Sequence, residues 1–577
     1  MTGNVKKKRK KKKKTRKLIK FIATLSIITA LLLTGSYFAL DHFKFELLDY
    51  FVKKIEKNSG GLYSIKYEKI DLDLFNKSVH IKNFSLHLNR KVLKKIENES
   101  LKTRLLVKTT RPISNLKIEG ISIFALIFNK SLGIKRLFLE NGEVVIVKIK
   151  KNTKIKKGHR YKKNGTAVPI KGKKKSKPLR SIYIKNLRTV KTAFKLIEVG
   201  KRDPLLTIPE VSLLFSKFKI YLGGKLKGTF TFKTGKSGLK ELCFVLPRGF
   251  YTLRAKGLKV SKSRSKSFIS IHSLRLTPRY KTYQFSRIKG YRTDRLSLKI
   301  RNITVEDIDF NGLFKHRHFS CKLLTLTNPG LDIFRNKNMP KHPRPKKKKF
   351  PQQLLRDFKY KVKIDNIKIF NGHIAYTEHA KTAEKAGKIF FTEIEANINN
   401  ITNYPELSEK KVTARLTISA KLMGKSRLRT KFTMPVSSKR DSFTVSGSLD
   451  KMDMRALNPI LEHNAHIKVK KGTVNKLYFS VWADRSRAAG KMQFFYKNLK
   501  VSVFKKSGKR KKRKFFSFLA NAVIYRDNPS RRKPLRVGEI YFQREKPLSF
   551  FTYLWKSLLT GIKSSVIGLK KFRKRKK

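Results

Sequence analysis

A chain of 577 residues is too long for one small core, so several domains or one elongated architecture is expected. Lysine and arginine number 140 against 37 acids, a formal charge of +103 that predicts attraction to polyanions: nucleic acid, anionic lipid headgroups or lipopolysaccharide. A lysine-rich composition spread over every solvated surface is the alternative source of that excess. With two cysteines, Cys243 and Cys321, a compact disulfide scaffold and a cysteine-based zinc site are excluded.

Residues 1–20 form a basic tail. The uncharged stretch Phe21–Leu40 that follows has the ~20 residues a helix needs to cross a bilayer. The lysines before it place the N-terminus in the cytoplasm by the positive-inside rule, with the rest of the chain across the membrane. A cleaved signal peptide is the competing reading, but its apolar core would span ~7–15 residues and lead to an A-x-A-like site, which Thr34–Ser36 resembles only faintly. The expectation is therefore an uncleaved signal anchor: a single-pass inner-membrane protein with its bulk in the periplasm. Phe45, Leu48, Phe51 and Ile55 then recur at helical spacing and predict a short amphipathic continuation, ended by Gly60 and Gly61.

From Tyr67 the period changes to two. Ile70, Leu72 and Leu74 fall on one side of an extended chain, with Asp71 and Asp73 on the other. Val79 and Ile81 resume the alternation, and Phe84, Leu86 and Leu88 carry it on one residue out of step, which predicts a bulge. The same texture predicts strands in 114–128, 215–233, 267–278, 295–310 and 411–424. Helical patterns between them are scarce, so the sheet is expected to be antiparallel rather than built of parallel βαβ units. Three basic stretches, within 148–180, 335–349 and 505–514, are too charged for buried strands and read as loops. They divide the sheet-forming chain into segments 41–147, 181–334 and 361–504. A basic linker fills 335–360, and terminal strands with a helix occupy 515–577.

One internal repeat stands out. Ile134, Leu137, Leu139, Asn141, Gly142 and Val144 match Ile364, Ile367, Ile369, Asn371, Gly372 and Ile374 in type and spacing. A looser copy begins at Ile467, with Lys-Gly in place of Asn-Gly. Asn-Gly supplies the positive φ of a tight hairpin or bulge, so the repeat suggests one sheet extended by adding hairpins.

Catalytic signatures are lacking. Thr234–Gly238 contains Gly-Lys-Ser, but Phe230 stands where a phosphate loop needs its first glycine. His316 and His318 read as solvated side chains, and Asp71 with Asp73 as a solvated strand face. No catalytic residue, metal site or cofactor is expected. Nucleic acid is disfavoured as a partner, because no recognition motif accompanies the charge and most aromatics sit in phase with the apolar face. Near the C-terminus, Phe551, Leu554, Trp555, Leu558, Ile562 and Val566 form one stripe, with Lys556, Thr560, Lys563 and Ser564 opposite. This is the profile of a membrane-interface helix or of a helix that caps the sheet with its apolar stripe.

The basic tail and anchor, then Gly60–Leu88, Phe268–Tyr280, Leu324–Pro340, Lys363–Pro405, Ala488–Phe504 and Arg536–Val566, resemble the AsmA-like superfamily, in particular its Bacteroidetes members. The lysine excess and the basic insertions depart from that pattern. The resemblance implies an elongated, folded-over β-sheet forming a trough that shelters lipid tails between membranes. Candidate lining residues are Ile70, Leu72, Leu74, Val79, Ile81, Leu137, Leu139, Val144, Ile367, Ile369 and Ile374. The expected partners are membrane phospholipid, including anionic lipid, the bilayer itself and envelope proteins. The alternative is a membrane-tethered scaffold whose basic surface binds envelope proteins or anionic glycolipid around a closed, dry core.

Overall fold

The computed structural model describes residues 50, 52–53, 56–57, 59–73, 76–99, 104–122, 131–149, 180–200, 203–221, 230–316, 318–343, 348–381, 383–404, 412–436, 440–503, 524–531, 533–544 and 548–567. The expected anchor Phe21–Leu40, the lining candidate Leu74 and the basic stretch 505–514 lie outside them. No helix among the described residues is long and apolar enough to cross a membrane.

The chain is mostly β, and all its named strands join one mixed sheet. The first nine are β1 (Tyr63–Lys66), β2 (Lys69–Asp73), β3 (Ser78–Leu88), β4 (Arg104–Arg111), β5 (Ile113–Glu119), β6 (Ser131–Glu140), β7 (Glu143–Ile149), β8 (Ser181–Glu198) and β9 (Leu206–Tyr221). Next come β10 (Phe230–Thr231), β11 (Thr234–Val245), β12 (Tyr251–Lys262), β13 (Ser267–Pro278), β14 (Asp294–Ile300), β15 (Asn302–Glu306), β16 (His318–Thr327) and β17 (Gly330–Asn336). The last are β18 (Lys361–His379), β19 (Gly387–Thr402), β20 (Thr413–Leu422), β21 (Ser426–Pro435), β22 (Phe443–Leu449), β23 (Met452–Asp453), β24 (Ile467–Ala483), β25 (Arg487–Val503) and β26 (Val537–Gln543).

Many of these are halves of one lane. Pro112 separates β4 from β5, because proline cannot donate to the ladder. Asn141-Gly142 separates β6 from β7, and Asn328-Pro329 separates β16 from β17. Elsewhere the strand continues through a residue in the left-handed region: Asn83 in β3 (φ 49°), Lys191 in β8 (45°), Asn371 in β18 (52°) and Glu393 in β19 (48°). Asparagine tolerates that region through its short polar side chain. The bends are neighbours across the sheet. The Asn141 amide donates to the Val190 carbonyl (2.9 Å), the Asn328 amide to the Phe370 carbonyl (2.8 Å), and the Asn371 side chain to that of Asn328 (2.6 Å).

Two sequence expectations need correction. Of the hairpin and the bulge, Asn141-Gly142 and Asn371-Gly372 form the latter, so the repeats do not extend the sheet by hairpins: they bend a lane between β6 and β7 and inside β18, and the looser Lys471-Gly472 sits in a register shift within β24. Nor is the sheet antiparallel throughout, because β6 and β7 run parallel to β8, and β16 and β17 run parallel to β18. Each parallel pair requires a long return connection. Those connections are the segments between β7 and β8 and between β17 and β18, where the sequence carries its first two basic insertions. The matched repeats also take different places, one preceding such a return and the other following it.

The second return is more than a solvated linker. It contains the helix Pro351–Arg356, with proline in the first turn where a missing N–H costs nothing. Phe350 is fully buried against Phe443, Phe550 and Tyr553, with the Arg544 guanidinium 4.2 Å from its ring centroid. Arg356 and Arg485 both pair with the buried Asp441. Phe45, Leu48, Phe51 and Ile55 lie outside the described residues; residues 50, 52–53 and 56–57 are helical, and Gly60 and Gly61 follow at φ 64° and 73°.

Gly142 tests the bend. Its φ is 82°, and an added Cβ would stand 2.8 Å from both the Ile113 Cα and the Pro112 carbonyl oxygen. Gly142→Ala is expected to destabilise the protein by roughly 1–3 kcal/mol in urea unfolding. Gly238→Ala, in open space within β11, is expected to change stability by less than about 0.5 kcal/mol.

Candidate functional site: the apolar face of the sheet

Cross-strand partners share a face, so the register can be followed residue by residue. One row of direct partners runs Ile70, Ile81, Leu116, Leu139, Thr189, Leu213, Ser237, Val260, Ile269 and Val305. It continues through Leu324, Ile367, Ile398, Leu416, Phe432, Val445, Val481, Gly490 and Ile540. The row crosses nineteen strands with three interruptions, Thr189, Ser237 and Gly490. At ~4.8 Å per strand it extends about 85 Å.

The opposite face reads differently. One residue further along, the partners are Lys259, Ser270, Thr304, Thr325, Lys368, Asn397, Thr417 and Lys431. Beyond the bends a second apolar row joins twelve strands: Val107, Ile146, Leu196, Leu206, Phe244, Leu253, Leu276, Leu298, Leu331, Ile374, Phe391 and Leu422. In β13 the alternation slips by one at His272-Ser273, between Ile271 and Leu274. The β12–β13 pairing runs through this slip without a register shift, opposite Gly257 in the left-handed region (φ 61°).

Most of both rows is only half-buried, and Ile374 is 40% exposed. Burial deepens at Val305, in a cluster with Ile308, Phe310 and the half-buried Phe314. It deepens again at Val445, Val481 and Ile540, beside the C-terminal helix Phe550–Ile567. That helix caps the sheet with part of its apolar stripe: Val566 is buried, and Leu554, Leu558 and Ile562 pack against the core. Its buried side is Phe550, Tyr553, Ser557, Gly561, Ser564, Ser565 and Val566. Small residues allow close approach: a Cβ on Gly538 would lie 2.3 Å from the Gly561 carbonyl oxygen. The Ser564 and Thr560 hydroxyls accept from the outward-facing amides of Glu539 and Tyr541, which closes the edge of β26. Phe551 and Trp555 are left 78% and 46% exposed, with Leu554, Leu558 and Ile562 half-buried.

The predicted lining residues Ile70, Ile81, Leu139 and Ile367 lie in the first row. Leu72, Val79, Leu137 and Ile369 sit two residues away on the same face. Ile374 belongs to the second row, and Val144 is two residues from it along β7, whose other face buries Val145, Val147 and Ile149 more deeply. The stretch from Leu213 to Ile269 and the stretch from Ile398 to Ile540 were missed. Their alternation was visible, but no sequence signal assigns partners. Asp71 is exposed on the polar side, as expected.

His318 is not simply solvated, since its Nε2 lies 2.8 Å from the Asp309 carboxylate, a partner nine residues upstream. No cluster of three or more histidine, cysteine, aspartate or glutamate side chains among the described residues could hold a metal. Both cysteines are free thiols, and burial pushes the Cys321 thiol up to about 11. Thr234–Gly238 opens strand β11, not a loop. Neither any protein-family model nor any curated protein matches the chain.

Beside the Asn141-Gly142 bend, Glu143 is buried. Burial pushes its carboxyl upward, but the Thr110 hydroxyl and the Lys195 ammonium, 2.9 Å away, more than offset this and hold it below its ordinary value of 4.5. A depressed carboxyl stabilises the fold above that value, and the contribution fades as pH falls through the folded-state pKa. Glu143→Gln is therefore expected to cost about 1–3 kcal/mol at pH 7. The gap to the wild type should narrow below pH 4.5 in urea titrations, and a gap independent of pH would contradict this account.

Proposed function

We propose that this chain is a membrane-anchored, non-enzymatic lipid-handling protein of the AsmA-like kind. In this reading the sheet folds over along its line of bends into a groove that holds phospholipid acyl chains. The observation that carries it is the in-register, largely apolar row over nineteen strands, only partly buried through most of its length. A soluble domain would normally bury such a face, and a long exposed apolar strip is costly unless something apolar occupies it.

Each acyl methylene sheltered from water is worth ~0.8 kcal/mol, so a continuous lining removes most of the cost of moving a lipid between bilayers. Movement along equivalent rows needs no strong single site. Phe21–Leu40 would hold the N-terminal end in the inner membrane. The exposed Phe551 and Trp555 would meet a bilayer at the other end, and lysines along the margins would attract anionic headgroups. A scaffold with a dry core is favoured by one observation, the sealed cluster around Val445, Val481 and Tyr553, which covers only the C-terminal strands.

Full-length protein extracted in mild detergent is expected to carry phospholipid in native mass spectrometry. Leu324→Glu with Ile398→Glu, placing two charges on the half-exposed row, should reduce occupancy at least several-fold. Lys368→Glu on the polar face should leave it unchanged. A folded wild type without lipid would sink the groove and favour the scaffold.

A further inference from the structure

The polar face of the sheet carries its own anomaly at the C-terminal end. Tyr478, Trp482 and Tyr541 are 44%, 38% and 47% exposed, and all three stand on the side opposite the apolar rows. Trp482 and Tyr541 share one cross-strand row through Ala489, and Tyr478 lies four residues from Trp482 along β24. At ~3.3 Å per residue and ~4.8 Å per strand, Tyr478 and Tyr541 each lie roughly 10–13 Å from Trp482.

Beside Tyr478 the face is hollow, with Trp482 and Tyr541 one same-face row beyond the hollow's central row. Small residues, Ser446, Gly447 and Ser480, form the floor of a depression of about 1040 Å³ walled by longer side chains. In the central row Lys431, Ser446, Ser480, Lys491 and the acid Glu539 stand side by side on five neighbouring strands. Neither of those lysines is ion-paired with a described residue. Arg429, also at the margin, is held by Asp450 at 2.9 Å, and the Lys476 ammonium lies 5.7 Å from the Tyr478 ring centroid.

We propose that this hollow binds an acidic oligosaccharide. Aromatic rings on a rigid sheet offer flat faces to the C–H groups of sugar rings, and hydroxyl and amide side chains between them suit sugar hydroxyls. The separation of the aromatics asks for a chain of sugars, since one ring could not reach both. Lys431 and Lys491 add the preference for carboxylate- or phosphate-bearing sugars by charge complementarity. A bilayer is the poorer fit, because a flat membrane surface cannot fill a concave floor of serines. The inference is independent of what the opposite face carries.

The chain has two tryptophans, so Trp555→Phe leaves Trp482 as its sole tryptophan, read with excitation that tyrosine does not absorb. In that background, full-length protein in detergent is titrated with a galacturonate hexamer, with maltohexaose, and with phosphatidylglycerol vesicles. The galacturonate hexamer is expected to shift Trp482 emission saturably and bind at least tenfold more tightly than maltohexaose. Tyr478→Ala, which changes no charge, should weaken it about tenfold or more. Lys431→Gln with Lys491→Gln should abolish the preference for the acidic chain. Unchanged binding by Tyr478→Ala would reduce the interaction to non-specific charge and overturn the proposal. A shift with vesicles and none with either sugar would overturn it in favour of a membrane contact.

Discussion

Strand register is the constraint on which everything else in this protein rests. Side chains alternate with a period of two, so a slip of one residue in any lane would turn that lane's apolar set to the other face. A row that is apolar at all but three positions from Ile70 to Ile540 must hold its phase through every pairing between them. The bends put this at risk, because each inserts a residue. The risk is met by bending neighbouring lanes at one level. Asn141 is bonded to the Val190 carbonyl beside Lys191, Asn328 to Asn371, and the Asn371 amide to the Glu395 carboxylate at 2.8 Å. Neighbouring lanes that bend together remain paired.

An open sheet has edges, and the C-terminal one is closed with unusual economy. The hydroxyls of Ser564 and Thr560 satisfy the outward amides of β26, while Gly538 and Gly561 let helix and strand approach closely. Around that helix the core is buried. Phe350 reaches it from the second return connection, and Asp441 binds Arg356 and Arg485 beneath the same end. The terminal strands are thus a closed, conventional core, and the strands before them present a half-exposed apolar face. This difference is what makes the lipid-holding proposal specific to β3–β21, and what frees the outer face of β24–β26 for a separate role.

The charge divides in a similar way. Acids are few and mostly engaged, as with Glu143 on Lys195, Glu378 on Lys337 and Asp294 on Arg335. Lysines fill the polar rows. Coulomb attraction to polyanions is consequently general over the surface, and only geometry can make it selective. Lys431 and Lys491 differ from other lysines because they line a hollow beside the exposed ring of Tyr478.

The alternation of Ile70-Leu72 and its neighbours was enough to specify a β-rich chain with one apolar face, because period two has no other extended solution. The slip after Ile81 falls beside Asn83, which takes a left-handed φ of 49° without a register shift in the pairing with β5. The stripe of Phe551 and Trp555 marked a terminal helix, though not which side of it would be buried: a face of serine and glycine packs closer than a face of leucine, and only the partner strand reveals that gain. Sequence could not separate a bend from a hairpin at Asn-Gly, since both use positive φ and the choice depends on which strand lies alongside. The parallel pairings were hidden because their return connections are basic segments without a helical pattern. Period and polarity are local and were legible in the chain. Partner, register and parallel sense join residues far apart in sequence, and they were decided only when the lanes came together.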